Sequence, residues 1–168
     1  MKRKLKKFYK EKQMTQRRFG VEIEHISKIS HNNMVEHLAT VGLVIDNYAT
    51  GHIRCPNECY SGWQVKTDPS ITTQGDYEYG IELVSPPLVL SNLGSLKTAL
   101  EVANKFGAVN SSCGLHVHIH APELYTSRSN TAMFNKVMAE WAKVEQIVFS
   151  YMPLSRRNNT NCKPGLTV

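Results

Sequence analysis

A short segment of the sequence places histidine at every second position. Residues 114–121 read Gly-Leu-His-Val-His-Ile-His-Ala. Because successive side chains of a β-strand point to opposite faces, His116, His118 and His120 would share one face and three aliphatic residues the other. Burying three imidazoles without partners costs free energy, so the pattern favours a strand whose polar face meets metal ions, phosphates or carboxylates.

Carboxylates occur elsewhere in the same alternating format. Two glutamates that are two residues apart on a strand repel each other, and a cation between them relieves the repulsion. A Glu-x-Glu pair alone is typical of a solvated strand face, whereas a His-x-His pair is a stronger sign of ligation. Together on one sheet face, these groups predict a divalent-ion site. The candidate residues are Glu22, Glu24, Lys66, Asp68 and Glu82.

The predicted ligand set is rich in oxygen and contains imidazole. Such a set suits Mg²⁺ or Mn²⁺ better than a closed structural zinc site, and these ions commonly neutralise substrate phosphates. The sequence has neither a P-loop nor a Rossmann glycine motif. Any ATP would therefore be held by metal ions and side chains rather than by a glycine-rich loop.

Hydrophobic periodicity predicts an α+β fold, in which helices pack on one face of a largely antiparallel sheet and leave an open Glu/His-bearing face. We expect the last long helix to bury its apolar stripe in the core; the stripe contains Phe134, Val137, Met138, Trp141, Val144 and Val148. The predicted strands are 18–26, 43–48, 63–68, 77–85 and 114–121, and the predicted helices are 32–41, 91–106 and 129–149, with Gly42 and Gly107 as helix stops.

Composition is that of an ordinary soluble protein, with 41% hydrophobic and 20% charged residues in a chain of 168. No apolar run approaches the roughly 20 residues that cross a bilayer. The basic N-terminus has no apolar segment behind it, so we expect no secretory signal. We therefore expect a cytoplasmic protein without membrane contact.

The positive charge is concentrated at the N-terminus. Residues 1–18 contain nine of the 20 Lys and Arg residues and one of the 14 acidic residues, so the rest of the chain is slightly acidic. This division predicts a basic tail at 1–17 followed by one domain at 18–168. The tail is either a solvated extension or a contact for a polyanion such as nucleic acid. A non-catalytic polyanion-binding or virion-associated protein is therefore one alternative function.

The four cysteines are too few and too irregularly spaced for a disulfide framework, so reduced thiols are expected. Cys55 and Cys59, with Cys113 and His116, could in principle form a four-ligand zinc site. A zinc-binding protein is thus the second alternative.

Four motifs contain most of the candidate residues. The motifs are Phe-Gly-Val-Glu-Ile-Glu at 19–24, Trp-Gln-Val-Lys-Thr-Asp-Pro-Ser-Ile at 63–71, Gly-Ile-Glu-Leu-Val-Ser-Pro-Pro-Leu at 80–88 and Asn-Ser-Ser-Cys-Gly-Leu-His-Val-His at 110–118. In order and spacing, over about residues 18–160, they resemble the amidoligase family, which belongs to the carboxylate–amine ligases together with glutamine synthetase and glutamate–cysteine ligase.

The resemblance implies part of a glutamine synthetase-like catalytic fold and ATP-dependent amide formation through an acyl phosphate, in a bacterium or a phage-infected cell. ATP and Mg²⁺ (or Mn²⁺) would be the cofactors, and a carboxylate and an amine the substrates. Carried over motif by motif, the metal ligands would be Glu22, Glu24, Glu82 and His116, the ATP contact His118, and the substrate-end residues Lys66, Asp68 and Ser70.

Relatives in this family continue beyond the position of Val168 with further strands that hold phosphate. The resemblance therefore implies a domain that is short at its C-terminus, with Arg156 and Arg157 as the remaining phosphate contacts. A homo-oligomer or a complementing C-terminal polypeptide would then complete the site. His120 receives no role from the resemblance.

Overall fold

The computed structural model describes residues 17–46, 61–91, 93–121 and 131–157. The chain divides into two compact units, residues 1–120 and 121–168. The predicted tail at 1–17 lies almost entirely outside the described residues, as do Cys55 and Cys59.

One long strand organises the sheet of the first unit. Strand β1, Arg18–Ser27, pairs antiparallel along one edge with β3, Tyr79–Val84, and with β4, Leu88–Val89. Its other edge pairs antiparallel with β5, Gly107–Ala108, and with β6, Leu115–Ile119. Strand β2, Gln64–Thr67, pairs antiparallel with β3 and extends the sheet beyond it.

Two helices cover one face of this sheet over β1 to β4, whereas Leu115, Val117 and Ile119 of β6 on the same face are exposed. Helix α1, His31–Thr40, begins after Ser30, whose side chain accepts a hydrogen bond from the Asn33 N–H, and helix α2 spans Gly94–Phe106. Gly42 follows α1 with a φ of +85°, the left-handed conformation expected of a glycine helix stop. The buried core lies between helices and sheet and contains Val21, Ile23, Met34, Leu38, Trp63, Val65, Ile81, Leu83, Leu88, Ala99, Val102 and Ala103.

Gly107 ends α2 for a different reason from the one predicted. Its φ is −127°, which any residue can adopt, so it is not a left-handed cap. A Cβ at this position would lie 2.5 Å from His25 Cδ2 and 2.7 Å from the Ala103 carbonyl oxygen. The glycine is needed because α2 turns directly into β5 against the backbone of β1.

The second unit contains helix α3, Thr131–Tyr151, and the short helix α4, Leu154–Arg157. The prediction that the α3 stripe is buried was wrong for its largest members, since Phe134 is 51% and Trp141 40% exposed. Periodicity identifies the apolar face of a helix but not whether a partner covers it. None of the described helices combines the length and hydrophobicity that a membrane span would need.

The α+β prediction, with an antiparallel sheet and an open polar face, is confirmed. Most element boundaries differ from the predicted ones by one or two residues, and two elements differ more. The predicted strand at 43–48 is a single bridge between Ile45 and Trp63, with 47–48 outside the described residues. Helix α2 begins at Gly94 rather than at Ser91.

Candidate functional site

The register of β1 brings polar residues of three other strands onto the open face of the sheet. Glu22 is paired with His116 of β6, and Glu24 with Glu82 of β3. Lys66 of β2 is in turn paired with Glu82. Because residues directly opposite on neighbouring strands point to the same face, the alternation seen in the sequence becomes one continuous surface.

On the β6 edge, two imidazoles converge on one carboxylate oxygen. His116 Nδ1 lies 3.0 Å and His118 Nε2 lies 3.1 Å from Glu22 Oε2. One ligand atom from each of these residues lies within 4.8 Å of the other two, a separation that allows a shared metal ion. We call this group of three residues the imidazole side. Among the described residues it is the one cluster of His, Cys, Asp and Glu that meets this criterion.

Glu24 is held by the chain segment that enters β6. The Gly114 N–H donates to Glu24 Oε2 at 2.6 Å, and the Glu24 N–H donates to the Gly114 carbonyl at 3.0 Å. The other oxygen, Oε1, lies 3.8 Å from His116 Nε2. A Cβ on residue 114 would lie 2.9 Å from His116 Nε2 and 3.0 Å from Glu24 Oε2, so a side chain at this position would displace the ends of these two ligand candidates.

A hydrogen-bonded loop supports Gly114, and its central residue is Asn110, to which the sequence analysis gave no role. Asn110 Oδ1 accepts from the Ser112 N–H, the Ser112 hydroxyl and the Cys113 thiol. Its side-chain amide donates to the Thr72 carbonyl at 2.7 Å, and the Thr72 N–H donates to Ser112 Oγ. The loop before β6 is thereby tied to the loop between β2 and β3. The only sequence signal was the position of Asn110 at the start of the fourth motif.

On the opposite edge of β1, Lys66 Nζ lies 3.6 Å from Glu82 Oε2. Asp68 follows in the same chain segment, and its Oδ1 accepts hydrogen bonds from the N–H and the hydroxyl of Ser70 at 2.8 and 2.7 Å. These are local turn contacts that fix the chain as it leaves β2. We call Lys66, Asp68 and Glu82 the lysine side.

The pKa values of Glu22, on the imidazole side, and Glu82, on the lysine side, are shifted in opposite directions. Burial tends to raise the pKa of Glu22, but the hydrogen bonds and charges of His118 and His116 outweigh it, so the pKa lies below its ordinary value. Burial raises the pKa of Glu82 above its ordinary value. The Lys66 ammonium opposes this rise, whereas the surrounding carboxylates add to it.

The two predicted phosphate contacts, Arg156 and Arg157, lie in α4 of the second unit. The Arg157 guanidinium donates to the carbonyls of Met152 and Ser150, at the end of α3. The Arg156 N–H donates to the Pro153 carbonyl. The described contacts thus give Arg157 a role in closing the end of a helix, which leaves its predicted role as a phosphate contact to experiment.

Cys113 belongs to the alternative zinc site of the sequence analysis, and His120 is the histidine to which no role was assigned. Cys113 is buried, and its thiol hydrogen-bonds to Asn110 within the supporting loop. It is not part of the metal-compatible cluster of the described residues. His120 is exposed, and its backbone continues the pairing of β6 with Arg18.

Comparison with known proteins places the chain in one family. Residues 15–165 match a family model described as "Putative amidoligase enzyme". No curated protein and no solved structure matches significantly. The match includes every strand that contributes to the polar face, so it agrees with the resemblance of the four motifs. The chain belongs to the amidoligase family.

Proposed function

We propose that this protein is an ATP- and Mg²⁺-dependent carboxylate–amine ligase. The observation that carries the proposal is the clustering of carboxylates and imidazoles on one face of the sheet, where Glu22 and Glu24 lie between His116 and Glu82. Family membership supports a ligase of this general kind. The donor types suit a hard divalent cation, since three carboxylates and an imidazole supply mainly oxygen ligands. Of these four residues, Glu22 and His116 lie in the metal-compatible cluster, whereas Glu24 and Glu82 lie on the same face outside it.

In the proposed reaction, a substrate carboxylate oxygen attacks the γ-phosphorus of ATP, and ADP leaves. The nitrogen of an amine or of ammonia then attacks the acyl carbon, and inorganic phosphate leaves with the amide as product. Divalent ions at the site would supply charge neutralisation for the triphosphate and for the transferring group. Glu22, Glu24, Glu82 and His116 are the residues that would hold them.

The other side chains of the face have distinct tasks in this scheme. His118 is our candidate for contact with the ATP phosphates, since its side chain is 65% exposed and lies 3.1 Å from the proposed metal ligand Glu22. Lys66, with Asp68 and Ser70, would bind and orient the substrates on the other edge of β1. Arg156 and Arg157 are proposed to add phosphate contacts.

Calorimetric titration of ATP into the purified chain, with and without Mg²⁺, tests the proposal. We expect binding that requires the metal ion. Replacing both Glu22→Gln and Glu24→Gln should abolish that binding while the circular dichroism spectrum stays unchanged, because the amide keeps the shape but not the charge of the carboxylate.

The matched control is the double variant Glu36→Gln and Glu101→Gln, which changes the net charge equally at exposed positions on α1 and α2. It should bind ATP as the native chain does. Metal-dependent ATP binding that survives the change of Glu22 and Glu24, or ATP binding indifferent to Mg²⁺, would contradict the proposal.

A further inference from the structure

Helix α3 exposes large apolar side chains at the spacing of a coiled-coil heptad. They recur at alternating intervals of three and four residues, the pattern that lets two helices pack side by side along their length. Phe134 is 51%, Trp141 40% and Tyr151 85% exposed, so this row is open to a partner. We call the row the α3 seam; its members are Phe134, Val137, Trp141, Val144, Val148 and Tyr151.

The apolar area that the second unit exposes is as large as a protein interface. Nine large hydrophobic residues within 131–157 are between 40% and 85% exposed. At about 150–250 Å² for a large side chain, they expose on the order of 1,000 Å². The largest apolar patch of a monomer is typically about 300–600 Å², whereas a stable interface buries about 800 Å² on each partner. The exposed area is therefore sufficient for a stable dimer.

The two flanks of the α3 seam differ in what they offer to a partner. On one flank, the Trp141 Nε1–H donates to Glu145 Oε1 at 3.0 Å, and Glu145 is only 4% exposed. Because the indole donor is satisfied within the helix, its ring can be buried without leaving a donor unpaired. On the other flank, Ile147 is 57% exposed, and Glu140 Oε1 lies 2.8 Å from Lys143 Nζ. This second flank offers apolar surface beside an acidic group that is already paired.

The α3 seam is complementary to itself when a second helix runs antiparallel. With a two-fold axis between Trp141 and Val144, every seam residue meets a seam residue of the other helix. The opposing pairs are Phe134 with Tyr151, Val137 with Val148 and Trp141 with Val144. At the centre a large side chain meets a small one, an arrangement that fills the space between two helices. A second copy of this chain therefore fits the seam.

The charges beside the seam favour the antiparallel arrangement. In a parallel pair, Glu140 of one copy would face Glu145 of the other, and the two carboxylates would repel each other. In the antiparallel pair, Glu140 faces Ile147 and Glu145 faces Met138. No like charges meet at these positions of the antiparallel pair.

We propose that α3 is a dimerisation helix, through which two copies of this chain associate by packing their α3 seams antiparallel about a two-fold axis. The interface lies in the second unit and uses no residue of the polar face. The inference goes beyond the proposed ligase activity and is independent of it, because dimerisation requires neither ATP nor a metal ion.

Sedimentation velocity of the full chain, in a buffer with a chelator and without nucleotide, tests the association. At concentrations between about 1 and 100 µM, we expect a species of twice the 19.0 kDa chain mass that dissociates on dilution. A chain that stays monomeric at the highest concentration would overturn the proposal. Assemblies larger than a dimer would also overturn it, because a two-fold pair is closed.

A charge within the seam should break the dimer. Val144→Glu would place a carboxylate against Trp141 of the second copy, so it should raise the dimer dissociation constant at least about thirtyfold. Gln146→Glu is the matched control, because it adds the same charge at an exposed position on the opposite face of the helix. The control should dimerise as the native chain does, and both variants should keep the native circular dichroism spectrum. Equal dissociation constants for the two variants would place the contact outside the seam and refute the proposal.

Variants of Ile147 test the direction of the two helices. Because the antiparallel pair places Ile147 opposite Glu140 of the second copy, Ile147→Lys creates two attractive pairs and Ile147→Glu creates two repulsive ones. Both changes remove the same apolar contact from an exposed position, so the fold should tolerate them equally. We expect the Lys variant to dimerise at least about fivefold more tightly than the Glu variant at low salt, with a smaller difference at high salt. Equal constants at low salt would overturn the antiparallel packing.

Discussion

The imidazole side and the lysine side flank the same strand but neutralise their carboxylates in different ways. Glu22 is surrounded by groups whose charge depends on protonation or on metal binding, namely His116 and His118. Glu82 faces the permanent charge of Lys66 and is less exposed, at 17% against 24% for Glu22. One edge of β1 can thus change its charge with conditions, while the other carries a fixed ion pair.

The proposed function gives these groups different roles. The imidazole side would help to hold the divalent ions, and Lys66 would orient a substrate beside Glu82, which is itself a proposed metal ligand. The contrast between the two sides can be tested by changing the residues that support the imidazole side and leaving the lysine side intact. It can also be tested by removing the charge of Glu22 and that of Glu82 in separate variants.

The largest effect is expected from Gly114→Ala. The added methyl group would meet His116 Nε2 and Glu24 Oε2 at about 3 Å, so the loop or both side chains must move. We expect a loss of about 1–3 kcal/mol in the free energy of unfolding and at least about tenfold weaker metal binding at the imidazole side. Urea unfolding and Mn²⁺ titration measure the two effects.

Gly20→Ala is the matched control for this change. Gly20 lies opposite His118 on the same face, and a Cβ there would have contacts no closer than 4.0 Å. The control should retain metal binding. Equal loss in both variants would show that any bulk on this face disturbs the site and that Gly114 has no special role.

An intermediate effect is expected from Asn110→Ala. The change removes one acceptor of three hydrogen bonds and one donor to the Thr72 carbonyl. We expect a stability loss of about 0.5–1.5 kcal/mol, because the hydrogen bonds that are lost are partly solvated and water can replace some of them. Asn110→Asp keeps the acceptor and loses only the donor, so it should recover part of the stability and of the Mn²⁺ affinity.

The pKa of Glu82, on the lysine side, serves as the control measurement for the Asn110→Ala variant. NMR titration of the Glu82 carboxylate should show the same pKa in the native chain and in Asn110→Ala, since Asn110 bonds the Thr72 carbonyl in the loop after β2, whereas the Lys66–Glu82 pair lies on the strands themselves. A shifted Glu82 pKa would mean that both sides of β1 depend on this loop.

The smallest effects are expected from the pH dependence of stability in metal-free buffer. The pKa of Glu22 is lowered in the folded state, so its ionised form stabilises the fold above the unfolded pKa of about 4.5, and this contribution is lost as the pH falls through the folded value. The pKa of Glu82 is raised, so the free energy of unfolding falls as the pH rises from the unfolded pKa of about 4.5 through the higher folded value, and it stays lower above that value.

At pH 7, Glu22→Gln should therefore lower the free energy of unfolding and Glu82→Gln should raise it, each by less than about 1 kcal/mol because both groups are partly solvated. Chemical denaturation at pH 4 and pH 7 should show the two differences shrinking together at the lower pH. Changes of the same sign at pH 7 would contradict the contrast between the two sides.

The sequence was sufficient to predict the polar face, because a period of two carries directly from the chain to the strand. Glu22, Glu24, Glu82, Lys66, His116 and His118 lie on that face as expected. Sequence could not rank them by distance, since the register between strands decides that Glu22, rather than Glu24, receives both imidazoles. Register depends on loop lengths and packing, which alternation does not encode.

The supporting loop and the α3 stripe escaped prediction for related reasons. The contacts of Asn110 join residues 38 positions apart, and a single polar residue carries no periodic signal. The α3 stripe does carry such a signal, but periodicity cannot reveal whether another element covers it. In both cases the missing information was long-range.

The pairing of β1 also determines the order in which the polar face can be assembled during folding. Strands β2 and β3 lie about 40–60 residues after β1 along the chain, whereas β6 lies about 95 residues after it, and closing a longer loop costs more entropy. Glu22 and His116 are 94 positions apart, so the imidazole side closes a much longer loop than the Lys66–Glu82 pair does. An ion bound by both residues would therefore stabilise the most distant strand pairing of the polar face.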